Sequence, residues 1–109
     1  MAVAGCTRYV LSEEADRDIS DIFDFSAQTF GYVQAAEYML SLEACLLRLV
    51  DNPALGRERN EIRAGLRSVA LASHVVFYRV DDTSVRVVRV LHGSRDLPRQ
   101  FPDDPETTS

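Results

Sequence analysis

Three apolar runs in the second half of the chain, residues 66–71, 74–80 and 85–91, are separated by links of only two and four residues. Such short links can only join antiparallel neighbours, so these runs predict a three-stranded meander. The last two runs, HVVFYRV and VRVVRVL, flank the acidic turn Asp81–Ser84, and pairing across it sets Val80 opposite Val85. Counting on, Arg79 opposes Arg86, Phe77 opposes Val88 and Val76 opposes Arg89. Alternation then sorts the side chains into two faces. One holds Val75, Phe77, Arg79, Arg86, Val88, Val90 and His92; the other holds His74, Val76, Tyr78, Val80, Val85, Val87, Arg89 and Leu91. An arginine in an apolar strand needs a partner or water. Arg79 and Arg86 reach water at the turn end, so the first face is expected to meet the rest of the core. The second is expected to be a shallow, partly open surface with Arg89 at its centre.

The first half reads as helices. Residues 8–11, RYVL, are a short strand whose place in the sheet the sequence leaves open. Ser12 is placed to cap a helix with Glu13, Glu14 and Asp16 in its first turn, where the helix dipole favours anions. Ala15, Ile19, Ile22, Phe23 and Phe30 recur at helical spacing, and Gly31 supplies a C-cap. Residues 33–50 contain no breaker and carry a second stripe: Ala35 or Ala36, Met39, Leu42, Leu46, Leu49 and Val50. A joint this short makes the pair an αα-hairpin. Asn52-Pro53 stops it, and residues 54–64 form a polar connection. The expected layout is therefore α+β: a short strand, an αα-hairpin, then the meander packed on the helices. One domain of residues 8–101 is expected, after a flexible lead-in of residues 1–7 and before a disordered tail of residues 102–109. Residues 94–101 are expected to turn or form a short helix, laying Leu97 and Phe101 on the sheet.

At 109 residues there is room for a single core. Cys6 and Cys45 fit neither a disulfide framework nor a metal spacing, so a reducing cytoplasm is the expected setting. The opening MAVAGCTR does not read as a secretory signal, and no run is long and apolar enough for a membrane span. The net charge of −5 is unevenly placed. Residues 1–56 carry three arginines against nine acids, and residues 57–99 carry nine against five. A basic half on an acidic chain suits a local acidic partner, not nucleic-acid binding at large.

No cofactor motif is present, and the five glycines are scattered instead of forming a phosphate loop. No metal site is expected, because His74 and His92 lie far apart, with no HxxxH or CxxC. One set could carry chemistry: His74, Tyr78, Arg89, His92, Arg95 and Asp96. A histidine among arginines could do acid–base work on RNA, with arginine stabilising developing phosphate charge. Equally, His92 and Asp96 could fix the chain's exit from the sheet, with Arg95 paired to an acid. Arg57, Arg59, Arg63 and Arg67 could anchor a partner's carboxylates, or belong to a solvated loop.

The segments YVLSEEADRDISDIFDFS, FGYVQAAEYMLSLEACLLRLVDNPALGR, EIRAGLR, SHVVFYRV and VRVVRVLHGSRD, in this order, resemble a ParE toxin of the RelE/ParE superfamily over residues 8–96. The resemblance implies a type II toxin neutralised by a ParD-type antitoxin, in an assembly of two toxins with two or more antitoxins. It implies a non-enzymatic inhibitor that traps DNA gyrase on cleaved DNA. RelE-type ribosome-dependent mRNA nucleases share the fold but usually carry Lys, Arg, Glu, His or Tyr residues on the sheet and near the C-terminus. This chain has no lysine, and Gly93 follows His92, so only Arg89 and His92 could match such a set. That departure favours ParE. On this reading Arg89, His92, Arg95 and Asp96 form the target-recognition end. Arg57, Arg59, Arg63, Arg67, Tyr78 and Arg89 meet an antitoxin tail that folds across helices and sheet edge.

Overall fold

The structure is a computed structural model and describes residues 5–93. Its elements follow the expected α+β order: β1 (Arg8–Leu11), α1 (Glu13–Phe30), α2 (Tyr32–Asp51), β2 (Arg57–Glu58), β3 (Arg67–Leu71), β4 (His74–Asp81) and β5 (Ser84–His92). They form one sheet of order β1-β5-β4-β3-β2. The meander β3-β4-β5 is antiparallel as expected, and β2 is a short strand the sequence did not announce. β1 lies parallel to β5, from Arg8 opposite Ser84 to Leu11 opposite Val87. A parallel pair needs a long crossover, which the helical hairpin and meander supply. Cys6 and Thr7, expected within a loose lead-in, are tied down: their N–H groups donate to Val50 O (2.8 Å) and Thr83 O (2.7 Å). The expectations for Leu97, Phe101 and the tail 102–109 lie outside the described residues.

The hairpin is built by the two residues that flank α1. Ser12 accepts the Ala15 N–H at 3.0 Å, and its hydroxyl donates to Val88 O at 2.8 Å. One side chain thus caps the helix and fastens it to β5. Gly31 has φ 98° and ψ 159°, a region essentially closed to residues with a Cβ. Its N–H donates to Ala27 O and its carbonyl accepts from Ala35 N, so a single residue ends α1 and begins α2.

The assignment of faces is overturned. The helices cover the face bearing Val76, Tyr78, Val85 and Val87, which pack with Ala15, Leu42, Leu46 and Leu49. Val90 joins them although strict alternation puts it on the other side. The reason is a β-bulge. Val80 pairs with Val85 and Arg79 with Arg86, as counted from the turn, but Tyr78 pairs with Val87 and Phe77 with Arg89. Val88 is the extra residue, and every pairing beyond it shifts by one. The opposite face is not bare either. Leu66, Phe77 and Leu91 form a second small cluster there with Ile62, Val75 and Val88.

Tyr78 shows why the polar content of the two faces misleads. It is fully buried, yet its hydroxyl donates to Pro53 O (2.7 Å) and accepts from Gly56 N (2.8 Å). The turn after α2 closes on this phenol so tightly that a Cβ on Gly56 would lie 2.6 Å from Tyr78 Oη.

Candidate functional site

Where the hairpin overhangs the exit end of the sheet, an open groove of about 910 Å³ runs between α1, α2, the β3–β4 turn and the last residues of β5. Its α1 wall carries Asp18, Asp21, Ile22, Phe25 and Phe30, and its α2 wall carries Gln34, Glu37, Tyr38 and Ser41. The floor is made by His74 and by β5 from Arg89 to His92. Phe25 and Phe30 are 64% and 58% exposed. Phe30, expected in the core stripe of α1, belongs instead to this apolar rim.

Arg89 occupies the α1 side of the groove, not the middle of an open face. β1 ends at Leu11, so among the described residues β5 beyond Val87 has no strand on that side, and α1 takes its place. The Asp18 carboxylate accepts Arg89 Nε at 2.7 Å, Arg89 Nη2 at 2.9 Å and the backbone N–H of Val90 at 3.0 Å. This is a bidentate pair with both side chains largely buried, 23% and 14% exposed. The hydrogen bonding of its guanidinium to the Asp18 carboxylate raises the pKa of Arg89 and fixes its charge. Asp18 therefore satisfies an edge N–H and an in-strand arginine together.

On the α2 side Tyr38 Oη lies 2.7 Å from His74 Nδ1 and 3.3 Å from Leu71 O, locking α2 to the β3–β4 hairpin. His92 is the cross-strand partner of His74, and the ring centroids stand 5.7 Å apart. The grouping of the two histidines in one set holds, but their assignment to opposite faces is corrected; the bulge at Val88 brings them into direct register. Burial and the neighbouring His92 both push the pKa of His74 down. Among the described residues no group of three or more His, Cys, Asp or Glu could hold a metal ion.

The basic residues of the 57–67 segment do not converge on this groove. They sit at the other side of the sheet, on and between β2 and β3. Arg59 donates Nε to Glu61 at 2.7 Å and Nη1 to Ser68 Oγ at 3.1 Å, with its guanidinium 5.6 Å from the Phe77 ring centroid. That bond from Arg59 is the main cause of the lowered pKa of Glu61. Arg67 Nη1 donates to Gly56 O at 2.6 Å, and Nη2 approaches Glu58 at 3.4 Å. Both arginines stitch the connection onto the sheet. Arg57 is exposed on β2, and Arg63 is half-buried. Tyr78, being buried, offers no surface to a partner, while His92 is exposed. Arg95 and Asp96 lie outside the described residues.

Sequence reasoning missed Asp18, Tyr38 and Phe25. Tyr38 had a usable signal, since it continues the spacing Ala35, Leu42, Cys45 and Leu49 along the buried stripe. Asp18 had only an indirect one: Arg89 called for an acid, and α1 offers several.

The sequence matches the family model described as "ParE toxin of type II toxin-antitoxin system, parDE" over residues 9–97. The chain belongs to the ParE toxin family. Toxin ParE1 of Caulobacter vibrioides is 43% identical over 86 residues, spanning 79% of this chain and 88% of the relative. Toxin ParE1 of Mycobacterium tuberculosis is 38% identical over 96 residues, 87% of this chain and 98% of the relative. The fold of this ParE family member is similar to that in a chromosomal ParDE system of P. aeruginosa. The TM-score there is 0.69 at 17% identity, covering 80% of this chain and 95% of the other. It is also similar to that in the RelBE2 toxin–antitoxin complex of Mycobacterium tuberculosis. The TM-score is 0.56 at 23% identity, covering 84% and 94% of the two chains. The ParE resemblance carried by the five sequence segments is therefore correct, and the protein is a ParE-type toxin of a type II toxin–antitoxin system.

Proposed function

We propose that this toxin acts by binding and not by catalysis: it engages DNA gyrase and holds it on cleaved DNA. A ParD-type antitoxin neutralises it by direct contact. The observation that carries the non-enzymatic reading is the state of Arg89. An arginine that stabilises phosphate charge in a transition state must present its donors to the substrate. Here the Nε–Nη2 edge, through which a guanidinium grips an oxyanion bidentately, is already taken by Asp18, at 2.7 and 2.9 Å. Purified toxin added to gyrase and supercoiled plasmid is expected to leave protein-linked, cleaved DNA. Unimpaired supercoiling at toxin excess would sink the proposal.

The groove supports the antitoxin half of the reading. Its exposed Phe25 and Phe30 suit the apolar face of a helix that folds on binding. The short β2 at the sheet margin, with Arg57 exposed on it, suits an acidic extended segment. Arg59 and Arg67 are engaged within the chain and contribute less than the sequence suggested. The assembly is two toxins with two or more antitoxins, acting in the cytoplasm. No helix of the described residues is long and apolar enough to cross a membrane.

A second reading, a RelE-type ribosome-dependent mRNA nuclease, is favoured by one observation. Tyr38, His74 and His92 stand together at the groove, a grouping capable of acid–base work. Its test is cellular mRNA cleaved at ribosomal positions on expression, abolished by His92→Ala. Intact mRNA during growth arrest eliminates it.

A further inference from the structure

We propose that His74 and His92 form a two-imidazole site for a divalent transition-metal ion of the nickel, copper or zinc class, on the floor of the groove. The backbone sets the pair. His74 and His92 are direct cross-strand partners, and Gly93 N donates to Ser73 O at 2.9 Å just beyond them. That bond marks the pair as the non-hydrogen-bonded kind, in which opposed side chains approach most closely. Their rings are 5.7 Å apart at an interplanar angle of 82°. Two imidazoles bound to one ion at M–N distances of about 2.0–2.1 Å place their centroids about 5–6 Å apart. The observed spacing already falls in that interval.

Tyr38 supplies the orienting contact such a ligand needs. Its hydroxyl lies 3.3 Å from Leu71 O and 2.7 Å from His74 Nδ1. With its proton on Leu71 O, the hydroxyl accepts Nδ1–H from His74, which leaves Nε2 unprotonated as the ligand atom. A ligating histidine held through its other ring nitrogen is the usual outer arrangement of a metal site. Among the described residues the pair provides two ligands, and the remaining positions are left to water or to donors of a bound molecule in the groove. This is the chemistry of a weak, exchangeable site, not of a closed structural one. The copper, nickel and zinc ions suit imidazole, whereas Mg²⁺ and Ca²⁺ prefer oxygen donors.

The test is a Ni²⁺ titration of the full-length, untagged chain, followed by calorimetry and by NMR of the histidine rings. The sequence has only two histidines, so every imidazole signal belongs to this pair. One ion per chain is expected, perturbing both rings together. His92→Ala, at an exposed position, should weaken binding about tenfold or more without unfolding the protein, and His74→Gln should do the same. Tyr38→Phe should cost roughly tenfold through the lost orienting bond, and Cys6→Ser should leave affinity unchanged. Unaltered affinity in His92→Ala, or two ions bound independently, overturns the proposal. So does an affinity no tighter than that of a single free imidazole.

Discussion

The Arg89–Asp18 pair makes the sharpest quantitative demand on this fold. Asp18→Ala takes the acceptor from three N–H groups at once: Arg89 Nε, Arg89 Nη2 and Val90 N. Val90 N–H lies at a strand edge and can turn to water, so its share is small. The Arg89 side chain is only 23% exposed and cannot fully rehydrate. Each hydrogen bond to a charged group contributes about 1.5–3 kcal/mol net, and breaking a buried pair on one side costs about 3–5 kcal/mol. Partial exposure puts this case near the low end, about 3 kcal/mol. Arg89→Met keeps an apolar stem and leaves Asp18 its bond from Val90 N, so about 1–2 kcal/mol is expected. The double variant should fall short of the sum, with a coupling of about 1.5–2 kcal/mol. Urea denaturation of the four proteins measures all three quantities. Repeating it at high salt separates a buried pair from a surface one, since the Debye length at 1 M is about 3 Å. A cost below about 0.5 kcal/mol for Asp18→Ala, or a coupling that vanishes in salt, would show a solvated bridge. The burial argument would then be wrong.

Three further outcomes follow from single contacts. Tyr78→Phe strands Pro53 O and Gly56 N and should cost about 2–4 kcal/mol, with amide exchange quickening around residues 53–58; a loss under 1 kcal/mol would mean the turn reseals around water. Ser12→Ala removes both the α1 cap and the bond to Val88 O and should cost about 2 kcal/mol by chemical denaturation; a cost near zero would contradict that double role. The lowered pKa of His74 means the unfolded chain binds the extra proton first, so with EDTA present stability should decline as pH falls below the ordinary histidine value of about 6.5. Stability that rises on acidification through that window would reverse the sign of the burial effect.

Much of the architecture could be read from local chemistry. Ser12 and Gly31 set both ends of α1 because their roles depend on the residues beside them. The β4–β5 register could be counted from the turn as far as Tyr78, and no further. Nothing in VRVVRVLH marks Val88 as the residue without a partner, because valines occupy both parities. The faces were misassigned for a related reason. Tyr78 and Arg89 look too polar for a covered surface, but their partners lie 22–25 and 71 residues away. Long-range hydrogen bonds that make a polar group acceptable in a core leave no periodic trace. Arg59 and Arg67 were misread in the same direction, as surface charge, when both hold the connection against the sheet.

The bulge is what turns a regular meander into a groove with a paired arginine and two opposed histidines. An unbulged ladder through all of β5 would set Arg89 opposite Val76, beneath the helices, and would turn Val90 away from them. The extra residue instead leaves Arg89 opposite Phe77 and brings His92 to His74. The local kink is stabilised by Ser12, whose hydroxyl takes the carbonyl of the unpaired Val88. Deleting Val88 isolates what the kink does. It preserves the pairs Phe77–Arg89, Val76–Val90 and His74–His92, so the sheet and its core remain compatible with folding. It removes a half-buried side chain and the Ser12 bond, for a loss of about 2 kcal/mol. In a straight ladder Arg89 shares the face of Phe77, away from α1, and its reach to Asp18 depends on the twist that the bulge supplies. The Asp18–Arg89 coupling measured in the deletion background should therefore drop below about 0.5 kcal/mol. A coupling that survives the deletion undiminished would show that α1 alone positions the pair.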